Sequence, residues 1–218
     1  MTETHRLFAE NVEIRAGDYR LLEDVNFSVE SGCAIVIRGT NGIGKSTLLK
    51  TIAGLYEPAA GSIGYAGISN DIKFDTKLNS HLLGHAHGLK LSQTVRQNLM
   101  FFARFYGETS SKLAQAMDRL SLNRLADLPI RLLSAGQKQK AAFARLILSE
   151  RPIWLLDEPT ASLDIETTAL IEAVALEHVE RGGVIIAATH LPFLMKNDRA
   201  ETLDLQQFVP QHRWAEFE

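Results

Sequence analysis

The 218-residue chain holds a single cysteine, Cys33, so no disulfide can close within it. That fits a reducing compartment. No apolar run approaches the ~20 residues needed to cross a bilayer; stretches such as Val184 to Ala188 fall far short. The start, Met1 to Arg6, is polar and lacks the apolar stretch of a signal peptide. A basic excess is missing too. Lys and Arg total 23 against 26 Asp and Glu, a formal charge of −3, which argues against a nucleic-acid partner. Repeats, low-complexity tracts and long linkers are also absent. Together these point to a soluble, cytosolic chain that another protein must bring to any membrane it serves.

What is present is an ordinary globular composition, 45% hydrophobic and 22% charged, enough for one domain or one core with a smaller lobe. Apolar and polar residues roughly alternate over Leu7–Ile14 and Val25–Val29, the pattern of half-buried antiparallel strands. Short continuous apolar runs at Cys33–Ile37, Ile153–Leu156 and Val184–Ala188 read instead as strands covered on both faces. A glycine-spaced stretch, Gly61–Phe74, is expected to return to the antiparallel sheet. Helical spacing covers Thr47–Leu55, Thr94–Tyr106, Ser111–Leu120, Ala135–Leu148 and Ile165–Glu180. The order predicts a parallel α/β core that carries a helical lobe.

Between the first doubly covered strand and its helix lies Gly39-Thr40-Asn41-Gly42-Ile43-Gly44-Lys45-Ser46, followed by Thr47. It matches the phosphate-loop pattern at every required position, in the strand–loop–helix context that pattern needs. Glycines let the backbone wrap so that N–H groups point at phosphate oxygens, and the helix N-terminus adds positive potential. Lys45 is expected to reach the β and γ phosphates and Ser46 to coordinate Mg²⁺. A second strand ends in Asp157-Glu158. Ligands of parallel sheets bind beyond the carboxyl ends of the strands, which puts both acids beside the loop. Asp157 is assigned to the metal and Glu158 to the attacking water. Leu133-Ser134-Ala135-Gly136-Gln137 opens a helix, and spacing alone leaves Ser134 open between an N-cap and a second anion-facing helix end. His190, after the strand Val184–Ala188, is likewise open between a structural and a chemical role.

These motifs, with Ser162-Leu163-Asp164 and Thr189-His190, follow the order and intervals of ABC-type ATPase subunits, and the resemblance covers almost the whole chain. It implies a P-loop NTPase fold with an antiparallel β subdomain and an inserted helical lobe. One nucleotide-binding domain would span 1–218, its core at about 1–85 and 151–218 and its lobe at about 90–150. It also implies a head-to-tail homodimer with two sandwiched ATP molecules. Each would lie on Gly39–Thr47 of one chain and under Ser134, Gly136 and Gln137 of the other. Asp164 would sit near its twin across the interface, and His190 would contact the γ-phosphate and hold Glu158 and the water.

Two departures stand out. Such subunits carry a metal-contacting glutamine where this chain reads Leu83-Gly84-His85-Ala86-His87-Gly88-Leu89-Lys90, and Ala86 falls in its place. His85, His87 or a water would have to substitute, Gln93 lying further along. The adenine-stacking ring is also missing, with Arg15 or Ala16 at its place and Tyr19 the nearest aromatic, which leaves GTP open beside ATP. His81, His85 and His87 do not read as a metal or haem site, because no Cys-x-x-Cys-His or zinc spacing accompanies them.

Gly84-His85, Gly88-Leu89-Lys90, Asn98-Leu99, Phe101-Phe102 and Leu128-Pro129-Ile130 are similar to the ATPase subunits of the cytochrome c maturation system. So is the small size, without an added C-terminal regulatory domain. The resemblance implies membrane-spanning permease subunits as partners, at the cytoplasmic side of the bacterial inner membrane, and haem delivery to a periplasmic haem chaperone. Phe101, Phe102, Phe105 and Tyr106 would face the permease, or fill the lobe's own core. The competing readings are an ATPase for a lipid, lipoprotein or small-ion transporter and a soluble, non-transport ABC protein. The last would normally show two cassettes or a long coiled-coil insertion, and this chain has neither.

Overall fold

The computed structural model describes residues 5–67, 73–74, 76–84, 86–194 and 198–212. Strands β1 (His5–Ala16) and β2 (Tyr19–Glu30) form a long antiparallel hairpin closed at Gly17, whose φ of 61° suits a two-residue turn. Alternate residues Leu7, Val12, Ile14, Leu22 and Val25 turn inward. Strand β4 (Ala60–Gly67) pairs antiparallel with β1, and the two-residue β5 (Lys73–Phe74) extends the sheet to the order β2-β1-β4-β5. The expected return of 61–74 to this sheet is therefore seen in its described part.

The second sheet is parallel throughout, with the order β6-β7-β8-β3-β9. Its central strands β3 (Ala34–Arg38), β7 (Ile153–Asp157) and β8 (Val184–Ala188) are the three apolar runs. The edge strands β6 (Ser80–Leu83) and β9 (Ala200–Asp204) had no such signal. β9 reads Ala-Glu-Thr-Leu-Asp and stays largely exposed, so its pairing with β3 rests on backbone hydrogen bonds more than on apolar patterning.

The period-two geometry of the buried strands separates two cores. Ile153, Leu155, Ile186 and Ala188 face the antiparallel sheet and helix α1 (Lys45–Ile52), among Leu7, Leu48 and Leu49. Trp154, Leu156, Ile185 and Ala187 face the other way, toward α6 (Ile165–Glu180) and the lobe residues Leu99 and Phe143. Each leucine and isoleucine among them contributes about 1.5–3 kcal/mol on burial, so both faces of the sheet are held. Helix α1 starts earlier than the expected Thr47 and stops before Gly54, which bends the chain at φ 67°.

After the short α2 (Thr76–Asn79) come α3 (Val95–Tyr106), α4 (Ser110–Arg119) and α5 (Ala135–Ser149), which form the lobe. Each has a side-chain N-cap (Thr94, Thr109 and Ser134), and α3 ends on the left-handed Gly107. Among the described residues no helix is long and apolar enough to cross a membrane.

Candidate active site

Residues 39–44 link β3 to α1 at the carboxyl edge of the parallel sheet. Gly39, Gly42 and Gly44 have φ of 146°, 77° and 123°, backbone conformations that L side chains rarely adopt. A Cβ on Gly39 would stand 3.0 Å from Ile43 Cγ2, and Ile43 is itself buried in the core. The loop is thus wound tightly and anchored by one apolar side chain. Helix α1 begins at Lys45 after the N-cap residue Gly44, with no side-chain cap and no acid in its first turn. Its N-terminal N–H donors and the positive end of its dipole suit an anion.

Lys45 is only 8% exposed. Its Nζ donates to Gly39 O at 2.7 Å and to Thr40 O at 3.2 Å, and lies 2.8 Å from His190 Nε2. Burial pushes the ammonium pKa down, and the nearby charges of Glu158 and Asp157 act against that shift.

Asp157 ends β7 opposite Ala188, the last residue of β8. The next amide, Glu158 N, donates to Ala188 O at 2.8 Å with Glu158 at φ 52°. A left-handed glutamate has a cost that surrounding structure must cover, and such residues gather at functional sites. Beyond β8, Arg38 Nη1 donates to Thr189 O at 2.8 Å and Leu191 N to Thr189 Oγ1 at 3.1 Å, which fixes the turn carrying His190. His190 Nε2 also lies 2.7 Å from Asn41 Oδ1 and 3.9 Å from Glu158 Oε1. One ring nitrogen cannot accept from Lys45 and donate to Asn41 together, so the imidazole tautomer decides which of the two contacts is a hydrogen bond. The structure therefore brings the loop, Lys45, Glu158 and His190 into one constellation, with Asp157 adjoining it.

Ser46 lies in the first turn of α1 and Asp157 at the strand end, a hydroxyl and a carboxylate. Among the described residues no group of three or more His, Cys, Asp or Glu side chains is placed to hold a metal. Two hard oxygen donors fit Mg²⁺, which takes one or two protein ligands and completes its shell with phosphate and water.

Ser134, Gly136, Gln137 and Asp164 form a separate group. Gln137 N donates to Ser134 Oγ at 3.2 Å, and Ser134 N to Gln137 Oε1 at 3.0 Å, a reciprocal capping box. The N-cap alternative for Ser134 is thus realised, while its hydroxyl proton is still available to an acceptor. Asp164 caps α6 by accepting from Thr167 N at 2.7 Å, and the Thr167 hydrogen bonds hold its carboxyl below the usual range. A Cβ on Gly136 would lie 3.3 Å from Thr167 Oγ1, so the starts of α5 and α6 meet at Thr167. Buried Gln139 donates to Pro159 O at 2.7 Å, which ties α5 to the turn directly after Glu158. Sequence spacing missed Gln139, although an amide on the inward side of an apolar helix was a legible signal.

At the core–lobe junction Ala86 is exposed, and His85 lies outside the described residues. His87 O accepts a hydrogen bond from Arg145 Nη1. Buried Asn98 accepts from Lys90 N at 2.8 Å and donates to Lys90 O and Thr94 O, which fixes the loop 90–94 that holds Gln93. His81 is buried in β6, with its pKa lowered to about 3 by burial and then by the charges of Arg145 and Arg151. Where an adenine ring was expected to stack, Arg15 is exposed and its Nε donates to Glu13 Oε1 at 2.5 Å.

The family model described as "ABC transporter" matches residues 22–161. The cytochrome c biogenesis ATP-binding export protein CcmA of Rhizobium meliloti (strain 1021) is 39% identical over 208 residues, covering 94% of this chain and 99% of its own. The protein of the same name from Cereibacter sphaeroides (strain ATCC 17023) is 40% identical, covering 91% of this chain and 88% of its own. A solved ATP-binding subunit of an ABC transporter superposes with a TM-score of 0.77 at 25% identity, over 91% of this chain and 85% of that one. With the phosphate loop and its acids at the carboxyl edge of a parallel sheet, the chain belongs to the ABC transporter family, among its cytochrome c biogenesis ATP-binding export proteins.

Proposed function

We propose that the chain hydrolyses ATP as the motor subunit of a membrane complex for cytochrome c maturation, linked to haem delivery across the bacterial inner membrane. The observation that carries the ATPase reading is the convergence of Lys45, Asn41, His190 and Glu158 on one point beside an uncapped helix N-terminus. Names of relatives similar over most of the chain carry the cytochrome c reading.

In this reading the backbone N–H groups of 39–47 and Lys45 bind the phosphates and hold charge as it develops on the γ-phosphoryl oxygens. Glu158 accepts a proton from the attacking water. The water oxygen bonds to the γ-phosphorus as the bond to the β–γ bridging oxygen breaks, giving ADP and phosphate. His190 holds the water and Glu158 in line and meets the γ-phosphate. Ser46 and Asp157 would hold Mg²⁺, which would supply neutralisation of the phosphate charge. Ser134, Gly136 and Gln137 close over the nucleotide of a second copy, and Asp164 of each chain meets its twin between the two sites. The capping box, which keeps the Ser134 hydroxyl at the start of α5, supports this part of the reading. The permease partner then holds the dimer at the cytoplasmic face of the membrane.

The test is ATP turnover and nucleotide binding by the purified chain. Lys45→Ala is expected to abolish nucleotide binding. Glu158→Gln is expected to keep binding and dimerise with ATP, yet lose ~10²–10⁴-fold in turnover, the ordinary worth of a positioned general base. Near-normal turnover by Glu158→Gln would remove Glu158 from its assigned role, and unchanged affinity in Lys45→Ala would remove the phosphate loop from its own.

A further inference from the structure

The guanidinium of Arg145 is the least explained charge in the lobe. Among the described residues no carboxylate pairs with it, and its Nε is buried without a hydrogen-bond partner. Its surroundings are instead a carbonyl, a ring and a phenol. Nη1 donates to His87 O in the junction loop, Cζ lies 4.1 Å from the centroid of Phe102, and the Tyr106 phenol lies near enough to act on its charge. Gly88, at φ 65°, leaves the space the group fills, because a Cβ there would come within 2.5 Å of Nη1. Arg145 is half-buried, and a cation that gives up part of its hydration without an acid to pair with gains little in stability. Stability alone is therefore a poor account of it.

Its position joins three elements. Arg145 stands on α5, the helix that starts at Ser134, and eleven residues of α-helix carry the guanidinium about 16 Å from that end. Its hydrogen bond to His87 reaches the loop in which Ala86 replaces a glutamine. Its ring contact reaches α3, where Phe102 packs edge-on against Phe101 at 5.2 Å and Phe101 stacks on Phe105 at 6.3 Å. Phe101 and Phe105 are 60% and 69% exposed, so this ladder ends on the outer surface of the lobe.

We propose that Arg145 is a positioning residue that couples the nucleotide-closing end of α5 and the junction loop to the exposed aromatic face of α3, through His87 O and the Phe102 ring. The inference rests on the ATP-binding reading above. A helix moves as a rod, so displacement of its Ser134 end shifts the guanidinium, and a fork bonded to one element and stacked on another carries that shift to both. A lysine or an apolar side chain can fill the space but cannot make both contacts in one plane.

Amide hydrogen exchange of the full chain tests this in the Glu158→Gln background, with and without ATP-Mg, together with thermal unfolding. ATP is expected to slow exchange over residues 39–47 and to change it over 95–106 by on the order of tenfold, within the ordinary range of site coupling. Adding Arg145→Met should leave the melting temperature and the response at 39–47 in place, and reduce the α3 response to less than about twofold, below that coupling range. Arg145→Lys should recover only part of it. An α3 response unchanged in Arg145→Met overturns the proposal. If that variant does not fold, Phe102→Leu replaces it, with the same loss expected and an unchanged response equally fatal. No protection at 39–47 without the Arg145 change would contradict ATP binding itself, and the coupling would fall with it.

Discussion

At the scale of single residues, Ala86 stands where the resemblance led us to expect a metal-contacting glutamine. A side chain ending at Cβ cannot coordinate a metal, and Ala86 is exposed beside His87, whose carbonyl is held by Arg145. Lys45, Glu158 and His190 are unaffected by the loss, being tied to one another and to Asn41. Ala86→Gln is therefore expected to raise basal ATP turnover by restoring a metal-contacting amide to an otherwise complete site. Turnover equal to that of the unaltered chain would show that another group already does this work. Residues of this constellation were legible because spacing constrains them: the phosphate-loop pattern leaves little freedom in 39–46, and an acid pair after an apolar strand has one natural place. The meeting of Asn41 with His190 was not legible, since it joins residues 149 apart across two strand ends. Ser134 was legible only as an alternative, because a capping serine and a phosphate-facing serine look alike in one chain.

At the scale of elements, the strands that are apolar on both faces were readable, and the two edge strands of the same sheet were not. β6 is four residues long and contains His81; β9 is polar and largely exposed. Their pairing is decided by the strands beside them, a long-range fact no local pattern carries. The apolar character of β7 also hid a polar neighbour. His178 of α6 stacks on Trp154 at 3.9 Å with the rings 9° apart, and its Nε2 contacts Pro152 O at 3.1 Å. Burial lowers its pKa to about 4. The folded state then binds fewer protons than the unfolded state below the ordinary histidine value of about 6.5, so this histidine's contribution is complete above that pH and is lost as the pH falls toward 4. At pH 5 the loss is about 2 kcal/mol. Urea unfolding at pH 7 and pH 5 should show the natural chain losing more stability than His178→Gln by about that amount. Equal losses in the two would mean that the ring is not held neutral by the fold.

At the scale of the whole molecule, the candidate site is divided. The phosphate loop, the acids and His190 gather on one side, while Ser134, Gly136 and Asp164 gather around Thr167, with the Gln139–Pro159 hydrogen bond joining their helix to the turn after Glu158. A single chain thus carries two groups of motif residues joined through its own backbone, and the proposed head-to-tail pairing of two copies would bring one group of each chain to the other group of its partner. Phe101 and Phe105 leave an exposed aromatic face on α3. Fold class was legible from the order of apolar runs and helical segments, whereas the proposed pairing of two chains came only through the resemblance, because periodicity says nothing of which surfaces meet. The most direct test of the account is to recover tagged Glu158→Gln protein from its own membranes with ATP-Mg and identify what accompanies it. Multi-span subunits of the cytochrome c maturation system are the predicted companions. Recovery of a different permease, or of no membrane protein at all, would contradict that account.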